Sequence, residues 1–555
     1  MKYFLTRSQA QNIDIYTQEE IGIPGIVLME KAAEKLAYRI DRVIKKGIYE
    51  KLKGFEPKRD KILAIVESGN NGGDAVAAVR ILKTLGYDTA VYEIGAIDKM
   101  TESYTKQAEI ASRLGVKFLQ IKKSTYTAED LADSFSNYRI VIDGIFGVGL
   151  GRNVKDLHSV VISGINLASQ RGTFVVGCDI PSGISADDGS IQGSAVDCDI
   201  TVTFDYTKYG MLFNEGREFS GDIYTESIGL YKPKTPEELV KVLSGYDAVP
   251  YVYYEYDKDE AIQTLPARKE DSNKGTYGKV LIVAGSKDVY GALWLSASAC
   301  FRSGAGMVKV VTNTVNRDLL MQKLPEAMLL TYDQSNAGEA FERDYAAAIR
   351  WADVVLIGPG IGESEMAKKL LDGVIENCHE KQSLVFDADA INLIAKDKTT
   401  DQIRKMEEKV GPEHIVFTPH VAEMTRLLKG LKADLPTDFV KGNRERLAYL
   451  VSDPLKIICV LKDARTIISY AGEIEGAKKI YVNTTGNSGM SKSGSGDVLA
   501  GMVAGLLAQN KEGKVSNYEL TCAAVHLHGR AGDAARTTLG EKEMLAGDLV
   551  KFMDF

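Results

Sequence analysis

Short apolar strands alternate with helical stretches along the chain, and this alternation occurs twice in its 555 residues. In the first half, the apolar runs lie at residues 62–66, 89–94, 140–142, 174–176 and 200–204. Between the first two runs, residues 74–85 place apolar side chains at helical spacing. Short apolar strands separated by helices predict a parallel sheet covered by helices on both faces. The pattern therefore predicts an α/β fold.

The second half restarts the pattern with six apolar strands, at residues 279–285, 307–312, 353–360, 383–390, 414–420 and 457–463. Most of these strands end in Gly, Asp, His or Lys. In open α/β sheets, ligands bind beyond the carboxyl ends of the strands. The second half is therefore predicted to carry one long active-site edge.

A chain of this length is expected to form more than one domain, because single hydrophobic cores stop growing at roughly 250–300 residues. Residues 231–274 are polar and aromatic and are interrupted by prolines, which indicates a domain junction. We predict a first domain at residues 1–235, a linker at 236–264 and a second domain at 265–555. Within the linker, YVYYEY is interpreted either as an edge strand or as a contact surface.

The net charge of −8, from 68 basic and 76 acidic residues, argues against a general nucleic-acid-binding protein. The six cysteines are scattered without a C-x-x-C pair, which favours reduced thiols over a zinc site. The start of the chain lacks the apolar core of a signal peptide, and no run of 18 apolar residues occurs. We therefore expect a cytoplasmic enzyme without nucleic-acid or membrane partners.

The loop SGNNGGD, residues 68–74, follows a predicted strand and begins a helix. Its glycines let backbone amides approach a ligand, and the positive end of the helix dipole favours a pyrophosphate group. The loop does not match the G-x-G-x-x-G pattern of a dinucleotide-binding dehydrogenase. The alternative is a tight strand–helix connection in which Asn and Gly serve only the turn.

Two further strand ends carry polar oxygens: Asp143 precedes a glycine-rich loop, and Asp179 and Ser182 lie in VVGCDIPSG. Neighbouring carboxylate, amide and hydroxyl oxygens are suited to a monovalent cation or a polar substrate. One such aspartate alone would more often be a helix cap, but three polar strand ends in one sheet favour a ligand site.

The motifs NNGGD, DGIFGVGL and DIPSG, in this order after GIPGIVLME, resemble the NAD(P)H-hydrate epimerase family over roughly residues 1–230. The resemblance implies a Rossmann-like three-layer sandwich. It implies substrate contacts at Asn70, Asn71, Gly72, Gly73, Asp74, Gly147, Val148, Gly149, Leu150, Gly151, Arg152, Asn153 and Asp179. It also implies a potassium ion bound by Asn71, Asp143 and Ser182. Three positions differ from the family pattern, because Lys31, Ala75 and Val148 replace the usual Asn, Gly and Thr.

Inverting the carbon that carries the hydroxyl of the hydrated ring requires a proton donor and a proton acceptor near that hydroxyl. We predict that Asp179 is the catalytic residue for this acid–base step. The residues leave open whether the reaction proceeds by loss of water or by ring opening. The alternative for this half is a nucleotide-binding module without turnover, because Val148 lacks a hydroxyl.

The glycine-rich stretch TGNSGMSKSGSGDVLAGMVAGLLA, residues 485–508, leads into an apolar helix. Backbone amides at such a helix start are suited to stabilise the growing charge of a phosphoryl group. Asp497 is then predicted to be the base that takes a proton from the attacking hydroxyl. The alternative is that Asp497 only caps the helix.

GSGD at a helix start, preceded by TGNSGM, resembles the ribokinase-like superfamily and, more narrowly, its NAD(P)H-hydrate dehydratase branch. The resemblance covers about residues 265–555 and is supported by KGTYGKVLIVAGS, YGA, RSGAGMVKV, GPGIG, DADAINL and TPHVAEMTRL. It implies a ribokinase-like α/β domain with substrate contacts at Ala292, Gly360, His420 and Asp497. It implies adenine-nucleotide contacts at Lys462, Asp463, Ala464, Arg465, Thr466 and Gly496. Asn273 and Asp463 replace the usual His and Gly of the family.

The implied reaction converts a poor leaving group into phosphate. The ring hydroxyl attacks the terminal phosphoryl group of ADP or ATP, usually with magnesium bridging the phosphates, and elimination then restores NADH or NADPH. Fusing the two activities allows both epimers to be consumed. A kinase for a vitamin or sugar alcohol is the alternative for the second half.

The expected partners are hydrated NADH or NADPH, an adenine nucleotide and further copies of the chain in a homo-oligomer. His420, in TPHVAE, is predicted to face a ligand. His526 and His528 lie on different faces of a helical stretch and are predicted to be structural.

Overall fold

The computed structural model describes residues 1–94, 100–121, 126–333, 338–396, 399–431 and 443–554. The chain divides into two compact units, Tyr3–Val252 and Tyr253–Phe555, with Met1–Lys2 belonging to the second. The division lies inside the predicted linker, which contains regular elements at Pro236–Leu243, Tyr251–Glu255 and Lys258–Gln263. YVYYEY therefore contributes a strand, and the domain bounds themselves stay a prediction.

The first unit is built, within the described residues, on a sheet of seven parallel strands. Across the sheet the strands lie in the order Lys117–Ile121, Asp88–Ile94, Lys61–Val66, Ile140–Gly144, Phe174–Cys178, Ile200–Phe204 and Asp222–Glu226. Outside this sheet, Phe4 and Leu5 of the strand Lys2–Leu5 pair in parallel with the short strand Thr207–Lys208. The helices are Arg7–Glu19, Gly25–Lys46, Asn70–Thr84, Glu102–Arg113, Ala128–Phe135, Asp156–Gln170, Asn214–Phe219 and Pro236–Leu243.

Helices cover both faces of this sheet, because successive residues of each strand are buried in two different cores. In the strand Lys61–Val66, Ile62 and Ala64 face one core, whereas Leu63 and Ile65 face the other. The first core receives side chains from the helices Gly25–Lys46, Asn70–Thr84 and Glu102–Arg113, and the second core from Ala128–Phe135 and Asp156–Gln170. The predicted three-layer α/β sandwich is confirmed.

Two strands at the edges of this sheet, Lys117–Ile121 and Asp222–Glu226, were not predicted from the sequence. Most of their side chains are exposed or half-buried, and their sequences KFLQI and DIYTE are not apolar throughout. A continuous apolar run identifies only strands that are buried on both faces. The sequence pattern therefore found the centre of the sheet and missed its edges.

The second unit contains, among its described residues, seven parallel strands followed by two antiparallel strands. Their spatial order is Met328–Tyr332, Met307–Asn313, Lys279–Val283, Val354–Ile357, Ser383–Phe386, Ile415–Phe417, Ile458–Leu461, Ile467–Ile474 and Ala477–Val482. All six predicted strands are present, and several end earlier than predicted because the Gly and Asp residues after them form loops. The predicted α/β class is confirmed for this unit as well.

The helices of the second unit include a closely packed pair, Gly291–Arg302 and Ser495–Ala508. A Cβ atom on Gly501 would lie 2.2 Å from the backbone oxygen of Ser296, so this approach requires glycine. Residues 498–508 are all buried, which makes the helix after GSGD a core element whose first turn is half-buried. The remaining helices are Lys258–Gln263, Arg317–Lys323, Glu339–Trp351, Glu365–Asn377, Asp389–Lys396, Thr399–Val410, Val421–Gly430, Arg444–Leu455, Asn517–Leu539 and Ala546–Lys551.

None of the helices in the described residues is both long enough and apolar enough to cross a membrane. The six cysteines are free and buried, in agreement with the expected reduced thiols.

Candidate active sites

A cavity of ≈ 1070 Å³ opens in the first unit beyond the carboxyl ends of the central strands. It is lined by most of the residues for which the sequence predicts substrate contacts, namely Asn70, Asn71, Asp74, Gly147, Val148, Gly149, Leu150, Gly151, Arg152 and Asp179. Gly72, Gly73 and Asn153 are not among the lining residues. Three loops that are separate in sequence thus meet around one space large enough for a small ligand.

Gly72 and Gly73 shape the loop rather than line the cavity. A Cβ atom on Gly72 would lie 1.8 Å from the backbone oxygen of Glu67, and one on Gly73 would lie 2.6 Å from Cε of Met29. The helix Asn70–Thr84 begins directly after Gly69. Gly72 is therefore required by close backbone packing, whereas Gly73 contacts the flexible end of a methionine side chain. The neighbouring Asn70, Asn71 and Asp74 lie at the cavity.

Asp179 lies at the end of the strand Phe174–Cys178 with a left-handed φ of 67°. Its Oδ1 atom accepts hydrogen bonds from the hydroxyl of Thr203 at 3.1 Å and from the backbone amide of Phe204 at 3.2 Å. The ammonium group of Lys208 forms an ion pair with the same oxygen. Asp179 is thus a half-buried carboxylate with a fixed orientation at the cavity wall.

Several cavity residues were not predicted from the sequence, including Gln11, Asp14, Tyr206 and Lys208. Gln11 and Asp14 come from the helix Arg7–Glu19, which lies far from the glycine-rich motifs in sequence. Lys208 belongs to a strand of two residues, too short for a periodicity signal. The one sequence signal for Lys208 is its position shortly after the end of the buried strand Ile200–Phe204.

Asp143 and Ser182, two of the predicted potassium ligands, lie in direct contact. The Ser182 hydroxyl donates to Oδ1 of Asp143 at 2.6 Å, and the Ser182 amide donates to Oδ2 at 2.7 Å. Burial raises the pKa of Asp143 to about 6, although these hydrogen bonds act to lower it. The side chain of Asn71 lies beside Gly147, and its buried Nδ2 atom has no hydrogen-bond partner among the described residues.

In the second unit, the helix Ser495–Ala508 begins after Gly494, which has a φ of 98° and occupies the capping position. Asp497 lies within the first turn, so the alternative that Asp497 only caps the helix is wrong. Burial, reinforced by the charge of Asp387, raises the pKa of Asp497 to about 7. Asp497 can therefore exchange a proton near neutral pH.

An ion pair between a half-buried lysine and a buried aspartate lies beside Asp497. Lys462 donates to Oδ1 of Asp387 at 2.6 Å, and the Thr418 hydroxyl donates to the same oxygen at 2.6 Å. Burial acts to lower the pKa of Lys462, but the carboxylates of Asp387 and Glu423 raise it above its ordinary value. A Cβ atom on Gly496 would lie 3.3 Å from Nζ of Lys462, so the lysine contacts the start of the helix.

The predicted nucleotide loop continues from Lys462 through Asp463, whose carboxylate pairs with Arg444. Arg444 thus compensates the negative charge of Asp463, the residue at the position of the family's usual glycine. Among the hydrogen bonds of this loop, Ala464 donates to Asp463 at 2.7 Å and Arg465 donates to Ala464 at 3.1 Å. Ala464 is exposed and Thr466 is half-buried, so the loop is open to a ligand.

His420 caps the helix Val421–Gly430, with its Nδ1 atom accepting from the amides of Ala422 at 3.1 Å and Glu423 at 3.3 Å. Its side chain remains 50% exposed, which leaves the ring accessible to a ligand. Ala292 and Gly360 are neighbours, because a Cβ atom on Gly360 would lie 3.2 Å from Cβ of Ala292. His420 and Gly360 thus follow the strands Ile415–Phe417 and Val354–Ile357, and Ala292 lies beside Gly360 at the start of the helix Gly291–Arg302.

His526 and His528 lie buried in the helix Asn517–Leu539. Burial lowers the pKa of His528 to about 4, so this side chain is neutral at physiological pH. The burial of both histidines and the neutral state of His528 agree with a structural role.

Gly494→Ala is expected to destabilise the second unit by about 1–2 kcal/mol, because alanine is strained at a left-handed φ. The new Cβ atom would also lie 2.4 Å from Cδ1 of Leu295 and 3.0 Å from Cβ of Ala546. Calorimetric unfolding of the full chain measures the change. Gly338→Ala is the matched control, because Gly338 also precedes a helix but has a negative φ and no atom within 4 Å of an added Cβ. Equal effects of the two substitutions would contradict the explanation.

The sequence matches two family profiles, the YjeF-related protein N-terminus at residues 25–210 and NAD(P)H-hydrate dehydratase at residues 280–554. The chain is 30% identical over 562 residues to the bifunctional NAD(P)H-hydrate repair enzyme Nnr of Moorella thermoacetica, covering 100% of this chain and 96% of that enzyme. The bifunctional NAD(P)H-hydrate repair enzyme of Leishmania infantum is 30% identical over 517 residues, covering 91% of this chain and 87% of its own. The bifunctional NAD(P)H-hydrate repair enzyme Nnr of Escherichia coli is 29% identical over 487 residues, covering 88% of this chain and 83% of that enzyme.

Two solved structures are similar to part of the chain. The ADP/ATP-dependent NAD(P)H-hydrate dehydratase from Bacillus subtilis, co-crystallised with ATP and Mg²⁺, is 26% identical, with coverages of 55% and 96% and a TM-score of 0.42. A ribokinase-like superfamily protein from Enterococcus faecalis is 30% identical, with coverages of 54% and 94% and a TM-score of 0.45. Because the identity to the Moorella enzyme extends over the whole chain, and the two family profiles match its two halves in order, the chain belongs to the family of bifunctional NAD(P)H-hydrate repair enzymes.

Proposed function

We propose that the first unit interconverts the R and S forms of hydrated NADH and NADPH, and that the second unit dehydrates the S form at the expense of ADP or ATP. The observation that carries this proposal is the pairing of two separate sites in one chain. The first is a cavity with a fixed carboxylate at Asp179, and the second is a helix start with Asp497 in its first turn.

In the dehydratase step, Asp497 accepts the proton of the ring hydroxyl while the hydroxyl oxygen attacks the terminal phosphorus of the nucleotide. The bond from that phosphorus to the bridging oxygen breaks, and the shortened nucleotide leaves. Loss of phosphate from the ring carbon and of a proton from the neighbouring carbon then restores the double bond. Support comes from the buried position of Asp497 and from the amides at the helix start, which favour negative charge.

Lys462 supports phosphoryl transfer as a cation beside that helix start. It is held by Asp387 and lies next to Gly496, which is suited to placing its ammonium group near the nucleotide phosphates. We assign the rest of the nucleotide contacts to Asp463, Ala464, Arg465 and Thr466, and the substrate contacts to Ala292, Gly360 and His420. Asp463 fits this role because Arg444 compensates its charge.

Magnesium would neutralise the nucleotide phosphates during transfer, and it commonly binds proteins through only one or two carboxylates. The carboxylates of Asp387 and Asp389 are candidates, because both lie close enough to raise the pKa of Asp497. Their negative charge also fits a divalent cation at this strand edge.

In the epimerase step, Asp179 accepts the proton of the hydroxyl on the inverted carbon while the bond from that carbon to the ring nitrogen breaks and a carbonyl group forms. The nitrogen then adds to the other face of the carbonyl, and Asp179 returns the proton to the oxygen. The contacts with Thr203 and Phe204 fix the carboxylate toward the cavity, and the loops with Asn70 and Arg152 hold the rest of the substrate. Val148 lines this cavity but offers no hydroxyl. The substrate is therefore oriented by backbone amides, Asn70 and Arg152 rather than by a side chain at position 148.

Potassium fits the oxygen atoms of Asn71, Asp143 and Ser182. Asp143 is fully buried, and the unpartnered buried amide of Asn71 can turn its oxygen toward the same space by rotating about its last bond. The cation would supply a fixed positive charge that compensates the buried Asp143 carboxylate. The homo-oligomer stays a prediction.

Absorbance at the reduced-nicotinamide band tests both activities with a mixture of hydrated NADH epimers, magnesium, potassium and either ADP or ATP. Nucleotide-dependent recovery of the whole mixture, after spontaneous epimerisation is subtracted, supports both activities. Recovery of one epimer alone contradicts the epimerase. A stable phosphorylated product without recovery would instead identify a small-molecule kinase.

The dehydratase is expected to lose activity below about pH 7, because Asp497 must be ionised to accept a proton and its pKa is raised to about 7. The value of kcat/KM for the S hydrate should fall about tenfold per pH unit on the acid side of this midpoint. Initial rates between pH 5.5 and 8.5, corrected for the reaction without enzyme, measure the profile. A flat profile over this range would contradict the role of Asp497 as base.

A further inference from the structure

The cavity of the first unit carries more acidic than basic side chains. The charged and titratable residues that line it are Asp14, Glu67, Asp74, Arg152, Asp179, Tyr206 and Lys208, with Cys178 buried next to Asp179. Four of these are carboxylic acids, and among the described lining residues the cations are Arg152 and Lys208. Neighbouring carboxylates disfavour one another's ionisation, so the position of each cation decides which acid stays charged.

Lys208 is deeply buried, with a residue exposure of 3%. Its ammonium group pairs with Oδ1 of Asp179 and donates to the Thr203 hydroxyl at 2.8 Å. The same hydroxyl donates to Asp179 at 3.1 Å, so the three side chains form a closed triangle. A buried ammonium is stable only when it is paired, and removing one partner of such a pair leaves an uncompensated charge.

Asp14 and Asp74, the other aspartates of the cavity, have no lysine or arginine partner among the described residues. Asp14 accepts a hydrogen bond from the Gln18 amide at 2.8 Å, and burial nonetheless raises its pKa. Burial and the charge of Asp179 raise the pKa of Asp74 well above its ordinary value. Asp179 alone combines an ammonium partner, a hydroxyl donor and a backbone amide donor.

We infer that Lys208 is a positioning residue of the epimerase site, which holds Asp179 as the one carboxylate that faces the substrate hydroxyl. The inference rests on the proposed epimerase function. The ammonium group keeps its own proton throughout and carries none to the substrate. Its positive charge and its bond to Thr203 hold the carboxylate of Asp179 in its orientation.

Lys208→Met tests this role through the pH dependence of epimer exchange. Removing a cation beside a carboxylate raises the pKa of that carboxylate, typically by about 1 to 3 units. The acid limb of the kcat/KM profile for exchange should therefore move to higher pH by about this amount. We expect kcat to fall at neutral pH while KM stays near its original value, because Arg152 and the glycine-rich loops are unchanged.

Lys208→Arg keeps the charge, so its acid limb should stay in place even if kcat falls through altered geometry. Lys51→Met is the matched control, because Lys51 pairs with Asp199 at 2.9 Å in the same unit but does not line the cavity. The dehydratase rate of each variant on the purified S hydrate, together with thermal unfolding, checks that the chain is folded. If Lys208→Met does not accumulate as folded protein, Lys208→Gln carries the same test.

An unmoved acid limb in Lys208→Met or Lys208→Gln, or an equal shift in Lys208→Arg, would overturn the inference while leaving the epimerase intact. An original chain that exchanges no epimers would overturn the proposed epimerase itself and this inference with it. The two failures are thus distinguished by the activity of the unsubstituted chain.

Discussion

Asp497→Asn is expected to lower kcat for nucleotide-dependent recovery of NADH from its hydrate by about 10²- to 10⁴-fold. Asparagine has nearly the same shape, but it cannot accept the proton of the attacking hydroxyl. Asp497 lies in the first turn of the helix Ser495–Ala508, and Gly494 occupies the capping position, so the cap itself is untouched. The measurement is the initial rate of absorbance increase with the S hydrate and saturating nucleotide.

Asp353→Asn is the matched control for this experiment. Asp353 accepts from the amide of Lys279 at 2.8 Å and precedes the strand Val354–Ile357, so it lies at the opposite end of the strands from Asp497. We expect it to leave kcat unchanged, and epimer exchange by the first unit should be unchanged in both variants. A rate loss of less than about tenfold in Asp497→Asn would reject Asp497 as the base.

Asp179→Asn is expected to slow the exchange of R and S hydrates by about 10²- to 10⁴-fold, because the acid–base group of the cavity is lost. The substitution also leaves Lys208 without its carboxylate partner, which adds an uncompensated buried charge. Proton NMR of the two epimers follows the exchange directly, after subtraction of the spontaneous rate.

Asp197→Asn serves as the control for epimer exchange. Asp197 is exposed, belongs to the same unit and does not line the cavity. The dehydratase activity of Asp179→Asn on the pure S hydrate should persist. Exchange at close to the original rate in Asp179→Asn would show that another group performs the acid–base step.

The positions of most central strands along the chain could be predicted, because these strands are buried on both faces and are apolar throughout. The strand Ile200–Phe204 was predicted to the residue, whereas the edge strands Lys117–Ile121 and Asp222–Glu226 were missed. Edge strands expose polar side chains, so they lack the apolar run on which the prediction depends.

The glycine-rich motifs located both candidate sites, because their local geometry follows from short-range sterics. Gly72 and Gly494 are required by close packing or by a left-handed φ, and each places its neighbours at a strand end. The alternative cap at Asp497 was resolved only by the structure, which places the helix start three residues earlier.

The sequence by itself determined the two α/β halves, the order of the motifs and the residues at the strand ends, because these depend on local patterns of apolar, glycine and polar residues. Only the tertiary structure decided which charges meet. Lys208 pairs with Asp179 across 29 residues and Lys462 pairs with Asp387 across 75 residues. The ionisation of a carboxylate depends on burial and on charges a few ångströms away, and those neighbours come from other strands that chain folding brings together.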